Sequence, residues 1–273
     1  MYEKRIKTYY AGCVRKEWNR LDRDAYRRLE FETSLHFMEK YLPQRGKILD
    51  AGGGPGRYTI ELARRGYDVT LLDLVPANLE FAKRQIRRAR LQSRVPEIIA
   101  GSIVDLSMFP DNAFDAVICL GGPLSHVLDR RQRARAVREL IRVTHKGSPL
   151  FVSVIGRLSV MVVQLMQFQH EFTEPFFRRH RDTGDYPGTS GFTACHFFLP
   201  EEFRDAFSSK GVKVLELAGL EGLGSHHPRE INELARNRKR WRVWMETHYL
   251  TCAHPSVVGI SEHMMMVCRK IPS

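Results

Sequence analysis

The sequence has no apolar run long enough to cross a membrane and no apolar leader at its start. Its most apolar stretch, 150–166, is interrupted by Arg157. The pieces on either side are shorter than the roughly 20 residues that a spanning helix needs. The chain begins Met-Tyr-Glu-Lys-Arg and continues into a mixed-charge segment, which is unlike a secretory signal. These absences predict a protein without a membrane span.

Cysteine is also sparse. The five cysteines are odd in number and scattered, and no Cys-x-x-Cys pair occurs. Neither a disulfide framework nor a thiolate metal site is indicated. The adjacent pair His226 and His227 is a poor metal site because neighbouring side chains diverge and no second ligand set is visible. We therefore expect a cytoplasmic protein with reduced thiols and no bound metal.

A glycine-rich segment is the most informative feature that is present. Residues 50–57 read Asp-Ala-Gly-Gly-Gly-Pro-Gly-Arg, between an aliphatic run and a helical pattern. A glycine loop between a strand and a helix N-terminus commonly holds a nucleotide-like ligand. The P-loop requires Lys followed by Ser or Thr, and the dinucleotide fingerprint requires a third glycine at the position of Arg57. Arg57 therefore excludes the first and counts heavily against the second.

The acid-x-Gly-x-Gly-x-Gly pattern of Asp50, Gly52, Gly54 and Gly56 resembles motif I of the class I S-adenosylmethionine (AdoMet) methyltransferases, in particular their small-molecule group. The resemblance implies AdoMet as the cofactor. It implies that Asp50 receives the amino group of AdoMet, directly or through water. It also implies that Asp73, at the end of a second aliphatic run, accepts the ribose hydroxyls. Capping of the helix that begins near Pro76 is the alternative role for Asp73.

Two further segments carry the same resemblance. Residues 99–106 are similar to the adenine-binding segment, with Ser102 where many relatives have an acid, and Asp105 is a second candidate for that acid. Residues 109–120 read Phe-Pro-Asp-Asn-Ala-Phe-Asp-Ala-Val-Ile-Cys-Leu and resemble the lead-in to strand 4 of the family. Together these likenesses imply cofactor contacts at Asp50, Gly52, Gly53, Gly54, Gly56, Asp73, Leu74, Ser102, Ile103, Leu120 and Gly121.

The chain alternates between strand and helix patterns, which predicts a doubly wound α/β fold with a mostly parallel sheet. Five strands are expected, at 47–50, 68–73, 96–100, 114–120 and 149–155. Two more are expected at 212–217 and 263–268. The family resemblance implies a seven-stranded, Rossmann-like sheet whose last strand is antiparallel.

The domain organisation expected is an N-terminal helical cap, 1–44, followed by an AdoMet-binding methyltransferase domain, 45–273. Packing of the first helices into the core is the equal alternative to a cap. Two insertions, about 157–200 and 218–262, are expected to form a lid over the methyl acceptor, because long apolar insertions in compact domains are usually functional. The second insertion is expected to contain one basic helix over 229–244.

The expected function is in-line transfer of a methyl group to a small-molecule acceptor. His126, at the predicted tip of strand 4, is the candidate general base, although a His that caps the turn is at least as plausible. The net charge of +12 leaves an RNA methyltransferase as the alternative. A non-catalytic AdoMet-binding regulatory protein is a third hypothesis. The oligomeric state is not predicted.

Overall fold

The computed structural model describes residues 2–189, 192–208 and 210–272 and centres on a seven-stranded sheet. The strands lie in the order β3-β2-β1-β4-β5-β9-β8. All pairings are parallel except those of β9, which runs antiparallel to both β5 and β8. The expected sheet with an antiparallel last strand is confirmed. The strands are β1 (Lys47–Ala51), β2 (Asp68–Asp73), β3 (Glu97–Ala100), β4 (Ala116–Cys119), β5 (Pro149–Ile155), β8 (Val212–Gly219) and β9 (His263–Lys270).

Helices cover both faces of this sheet. Three of them, α1 (Tyr2–Ala11), α2 (Val14–Arg20) and α3 (Ala25–Tyr41), precede β1. Between the strands lie α4 (Arg57–Arg64), α5 (Pro76–Arg88), α6 (Arg130–Val143) and α9 (Pro200–Phe207). None of the helices among the described residues has the length and apolarity needed to cross a bilayer.

The first insertion forms a small subdomain after β5. It contains α7 (Arg157–Gln167), α8 (Phe177–Thr183) and a two-stranded ribbon of β6 (Asp185–Tyr186) and β7 (Cys195–His196). Residues 190 and 191 of this insertion lie outside the described residues. Tyr186, Cys195 and Phe197 give the subdomain an apolar cluster of its own.

The second insertion contains α10 (Pro228–Ala235), α11 (Arg238–Thr251) and α12 (Pro255–Val258). The prediction of a single helix over 229–244 is therefore wrong. The side-chain oxygen of Asn237 accepts hydrogen bonds from the backbone N–H groups of Lys239 and Arg240, both at 3.1 Å. An Asn that bonds to the backbone in this way starts a new helix and ends the previous one.

Adjacent residues of each central strand pack on opposite faces of the sheet, and both faces are buried. Leu49, Val117 and Val152 belong to the apolar layer beneath α6 and α9. Their neighbours Ile48, Ile118 and Phe151 belong to the layer beneath α3, α4 and α5. Burial on both sides explains the nearly continuous aliphatic runs from which the parallel strands were predicted.

A buried group of charges fastens the N-terminal helices to the edge strands. The guanidinium of Arg20 pairs with the carboxylate of Glu30, which is 3% exposed. Nδ1 of His263 lies 2.8 Å from Glu221 and 3.6 Å from Glu30. Burial alone would lower the pKa of His263, but the negative charges of Glu30 and Glu221 raise it to about 9. Glu30 and Glu221 therefore balance the positive charges of Arg20 and His263, and Glu17 adds a further acid 3.1 Å from Arg20.

This balance predicts a pH-dependent contribution to stability. A histidine in the unfolded chain titrates near 6.5. The stabilisation from protonated His263 should be complete below that pH and should be lost as pH rises through about 9. Between these limits the free energy of unfolding of the wild type should fall by on the order of 2 kcal/mol more than that of a His263→Gln variant. Urea unfolding across this pH range measures it, and equal pH dependence of the two proteins would contradict the assignment.

Candidate active site

A cavity of about 470 Å³ opens at the carboxyl ends of β1, β2, β3 and β4. The sheet contributes the glycine loop 52–55, residues 73–75 after β2, residues 101–104 after β3 and residues from 120 onward after β4. Ligands of open α/β sheets bind at this edge. The opposite wall comes from the N-terminal helices, through Ile6, Tyr10, Arg20 and their neighbours.

The glycine loop is held against β2 and leaves its backbone open to the cavity. The N–H groups of Gly52 and Gly53 donate to the carbonyl of Leu72 at 2.7 and 3.2 Å. Gly52 has a φ of +82°, and a Cβ there would lie 2.6 Å from Cγ of Pro123. Gly54 has a φ of +57°, and a Cβ there would have only Asn78 as a neighbour, at 3.9 Å. A ligand can therefore approach the backbone at Gly54 without obstruction.

Asp73 is the central polar group of the cavity wall. Its carboxylate accepts hydrogen bonds from the N–H groups of Gly54 and Val75, both at 2.8 Å, and from the side-chain amide of Asn78 at 3.1 Å. Burial raises the pKa of Asp73, while these three donors act in the opposite direction. A carboxylate has about four acceptor positions, so capacity for one further donor remains. The side-chain oxygen of Asn78 is buried and has no partner among the described residues.

Two of the expected cofactor contacts lie outside the cavity. The carboxylate of Asp50 is behind the loop, where a Cβ on Gly53 would lie 2.5 Å from it, and it accepts a 2.6 Å hydrogen bond from Thr59. Burial raises the pKa of Asp50 to about 7. Gly56, with a φ of +86°, is the N-cap of α4. Both residues shape the loop from behind.

The remaining expected residues are brought together around the cavity: Gly52, Gly53, Gly54, Asp73, Leu74, Ser102, Ile103, Leu120, Gly121 and His126. Asp105, the second candidate for the adenine side, is exposed and lies 3.5 Å from Arg135 in an ion pair. It is not part of the cavity wall, so Ser102 is the polar side chain at that position.

His126 ends a short 3-10 turn after β4, and its ring is held at both nitrogens. Nδ1 lies 3.3 Å from the carbonyl oxygen of Ala194, and Nε2 lies 2.6 Å from the hydroxyl of Tyr10. A carbonyl can only accept, so Nδ1 carries the proton and Nε2 accepts from Tyr10. Burial lowers the pKa of His126 to about 4, which keeps the ring neutral at physiological pH.

The insertions contribute less than the sequence led us to expect. No described residue of 157–200 or 218–262 is part of the cavity wall. The first insertion packs around its own apolar cluster and reaches the site through the Ala194 carbonyl. The helices before β1 form the wall that the insertions were expected to provide.

Two arginines that the sequence patterns did not predict, Arg20 and Arg57, also line the site. Arg20 lies over the tip of β4, with Nη2 3.3 Å from the position of a Cβ on Gly121. Arg57 stacks on the ring of Trp18 at 4.0 Å and donates to the Trp18 carbonyl, which ties α2 to the glycine loop. Arg20 is far from the glycine loop in sequence, so no local sequence pattern predicts its position in the site.

The cavity is acidic although the chain is basic. Its charged lining residues are Glu3, Glu17, Asp73 and Asp129 against Arg20 and Arg57. Both arginines are already paired with acids, Arg20 with Glu30 and Glu17, and Arg57 with Asp22. Glu3 is paired with Lys7, so the acids of the wall and their partners still outnumber the cations. Such a lining favours a ligand with net positive charge.

Comparison with known proteins decides the family. The family model described as a methyltransferase domain matches residues 48–147. A ubiquinone biosynthesis O-methyltransferase of Xanthomonas campestris pv. campestris is 32% identical over 210 residues, which cover 76% of this chain and 75% of that protein. The chain belongs to the S-adenosylmethionine-dependent methyltransferases.

Two further similarities agree. The putative methyltransferase YqeM of Bacillus subtilis is 29% identical over 131 residues, 46% of this chain and about half (49%) of that protein. A SAM-dependent methyltransferase structure from Methanosarcina mazei superposes with a TM-score of 0.60 at 19% identity, covering 87% of this chain and 98% of that one. The methyltransferase is thus an enzyme with AdoMet as its cofactor, and the non-catalytic hypothesis is set aside.

The cavity fits this cofactor. AdoMet carries a sulfonium, an ammonium and a carboxylate, hence one net positive charge, which suits the acidic lining. The unpartnered oxygen of Asn78 and the remaining acceptor position of Asp73 suit a ribose diol. The open backbone at Gly54 removes the steric barrier to close contact. The volume lies in the range of small-molecule sites.

The loop geometry predicts different effects for two glycine substitutions in the methyltransferase. Gly52→Ala places a Cβ against Pro123 in the cavity wall and should weaken AdoMet binding roughly tenfold or more. Gly66 has a similarly positive φ, +94°, but open space around it, so Gly66→Ala is the matched variant. It should cost about 1 kcal/mol of stability and leave binding unchanged. Calorimetry and denaturation test this, and equal AdoMet affinities of the two variants would contradict it.

Proposed function

We propose that this methyltransferase transfers the methyl group to a small, largely apolar acceptor held beneath α1, beside the tip of β4. The observation that carries the proposal is the charge of the cavity, which is acidic and has both lining arginines already paired. A phosphate-rich acceptor would meet repulsion there. Apolar side chains of Ile6, Val127 and Leu128 complete this part of the wall and suit a neutral acceptor.

In this proposal the cofactor contacts follow the cavity wall. Asp73, assisted by Asn78, receives the ribose hydroxyls. Leu74, Ser102 and Ile103 contact the adenine. Leu120, Gly121 and the backbone of Gly52, Gly53 and Gly54 contact the methionine portion. Arg20, whose guanidinium is already paired with Glu30 and Glu17, lies over Gly121 beside this portion. Asp50 and Gly56 act by shaping the loop.

Bound AdoMet supplies an electrophilic methyl group attached to a good leaving group. The chain's task is therefore to exclude water, to align the acceptor and, where the acceptor has a proton to lose, to receive it. We propose residues 1–44 as the cap and 45–273 as the AdoMet-binding domain. The 157–200 insertion then acts by fixing His126. All five cysteines are free thiols, which supports a reducing, cytoplasmic location.

An RNA acceptor remains the alternative. Binding of RNA would depend on cations at the protein surface, because the cavity is acidic. Of the arginines on α6, Arg142 is occupied by Glu139 and Asp111. Arg238, Lys239 and Arg240 at the start of α11 are exposed and are the better candidates for a phosphate surface. These three cations support non-specific attraction to a phosphate backbone.

The cofactor assignment predicts a specific loss in an Asp73→Ala variant. Removing the carboxylate deletes the proposed ribose acceptor and the support of Gly54, so AdoMet affinity should fall at least roughly tenfold. Asp68→Ala, at the half-buried start of the same strand, is the matched control and should bind normally. Titration calorimetry with AdoMet, NAD and ATP should show binding of AdoMet alone. Preference for NAD or ATP would reject the proposal.

The acceptor class is tested by methyl transfer into a cell extract. The enzyme is incubated with extract and radiolabelled AdoMet, and the products are separated into RNA and small metabolites. The acidic cavity predicts label in the metabolite fraction, with the RNA fraction at background. Label that is confined to RNA would establish the alternative.

A further inference from the structure

Tyr10 and His126 form a close pair across the cavity wall. Tyr10 lies on α1 and His126 follows β4, 116 positions later. The hydroxyl of Tyr10 is 2.6 Å from Nε2 of His126, and the rings meet edge to face with centroids 5.2 Å apart. Both residues line the cavity together with Leu120 and Gly121. The pair therefore lies where the proposed methionine portion and the acceptor meet.

The hydrogen bonds determine which member of the Tyr10–His126 pair donates and which accepts. The Ala194 carbonyl fixes the proton of His126 on Nδ1, so the lone pair of Nε2 faces Tyr10. The hydroxyl of Tyr10 therefore donates to His126. Its oxygen keeps two lone pairs, neither of which is used by a described residue, and it can accept a hydrogen bond from a group in the cavity.

Both members are neutral at physiological pH. Burial lowers the pKa of His126 to about 4 and raises the pKa of Tyr10 well above its usual value. The charges of Glu17 and Arg20 on α2 act on Tyr10 in opposite directions, and Cys195 and Tyr9 raise its pKa further. Asp129 lines the same cavity. The neutral imidazole of His126 is a weak base, so it cannot remove the proton of an acceptor before methyl transfer begins. It can take up a proton only while the new bond to the methyl group is forming.

We propose that Tyr10 and His126 form a proton relay, with Tyr10 as a catalytic residue, for an acceptor that carries a hydroxyl group. The acceptor oxygen bonds to the methyl carbon while the bond from that carbon to sulfur breaks, with its electron pair passing to sulfur. The acceptor proton moves to the oxygen of Tyr10, and the Tyr10 proton moves to Nε2 of His126. One positive charge disappears at sulfur and one appears on the imidazole, so the charge of the cavity is unchanged.

This proposal rests on the proposed function, since it requires AdoMet in the cavity. The competing explanation is that the pair only fastens α1 to the tip of β4. The two explanations differ in whether His126 faces the sulfur of the cofactor and in whether loss of one hydroxyl affects transfer without affecting binding.

The first test needs no acceptor. Protein labelled with ¹⁵N-histidine is saturated with AdoMet or with S-adenosylhomocysteine, which differ in the methyl group and the charge on sulfur. The Nε2 resonance of His126, assigned by its absence in His126→Gln, should differ between the two complexes. His248 is the matched control, because its Nε2 is likewise bonded to a hydroxyl, that of Thr33, at 2.8 Å, and the ring is buried away from the cavity wall. Identical His126 resonances in the two complexes would overturn the relay, whereas no spectral change with either ligand would refute the cofactor site itself.

The second test separates binding from transfer. Tyr10→Phe should keep AdoMet affinity within about twofold. It should slow methylation of the metabolite fraction by roughly a hundredfold or more, the usual contribution of a positioned proton acceptor. Tyr9→Phe removes the hydroxyl of the neighbouring ring, which packs on Tyr10 at 5.2 Å, and should transfer normally. The rates of wild type and Tyr10→Phe should also depend differently on pH. Equal rates for Tyr10→Phe and Tyr9→Phe would overturn the proposal.

The third readout identifies the methylated atom. Products made with ¹³C-methyl AdoMet are examined by NMR, in which methyl groups on oxygen, nitrogen, sulfur and carbon have distinct chemical shifts. A new methyl group on oxygen is expected. A methyl group on carbon, nitrogen or sulfur would contradict the hydroxyl acceptor, and one on a thioether sulfur or a tertiary amine, neither of which has a proton to lose, would contradict the relay itself, even if AdoMet binds as proposed.

Discussion

The carboxylate of Asp73 holds the cofactor edge of the sheet together. It receives N–H groups from the glycine loop and from the chain entering α5, and a side-chain amide from that helix. Taking a carboxylate out of water costs several kcal/mol unless hydrogen bonds replace the lost hydration. The three donors supply that replacement and at the same time fix the loop against β2. The hydrogen bonds that stabilise the buried carboxylate of Asp73 therefore also hold it in place to accept a further hydrogen bond from a ligand in the cavity.

The same cavity depends on residues far away in sequence. The N-terminal helices reach it because Arg20 is anchored by Glu30, which in turn faces His263 on β9. Arg57 and Trp18 make a second attachment at the glycine loop. These contacts place Tyr10 and Arg20 over the tip of β4 and give the site its local charge. A chain of net charge +12 thus presents an acidic cavity, because its cations lie mostly on the outer faces of the helices.

Local patterns in the sequence sufficed for the sheet and for the floor of the site. The aliphatic runs before Asp50 and Asp73, and the glycines between them, determine strand, turn and helix over short distances, and the family resemblance implied the antiparallel last strand. The wall of the cavity was harder to predict from the sequence. Whether Asp50 faces the cavity depends on how the loop folds over it, and the Tyr10–His126 contact joins positions 116 apart. The break at Asn237 was missed because charge and tryptophan content suggested continuity where a side-chain cap begins a new helix.

The central claim is that one cavity holds AdoMet with its ribose on Asp73 and its sulfur toward Tyr10 and His126. A crystal structure of the enzyme with S-adenosylhomocysteine tests it most directly. We expect the ribose hydroxyls within hydrogen-bonding distance of the Asp73 carboxylate and the sulfur facing the hydroxyl of Tyr10. A ligand bound elsewhere, or one whose sulfur points away from the tip of β4, would contradict it.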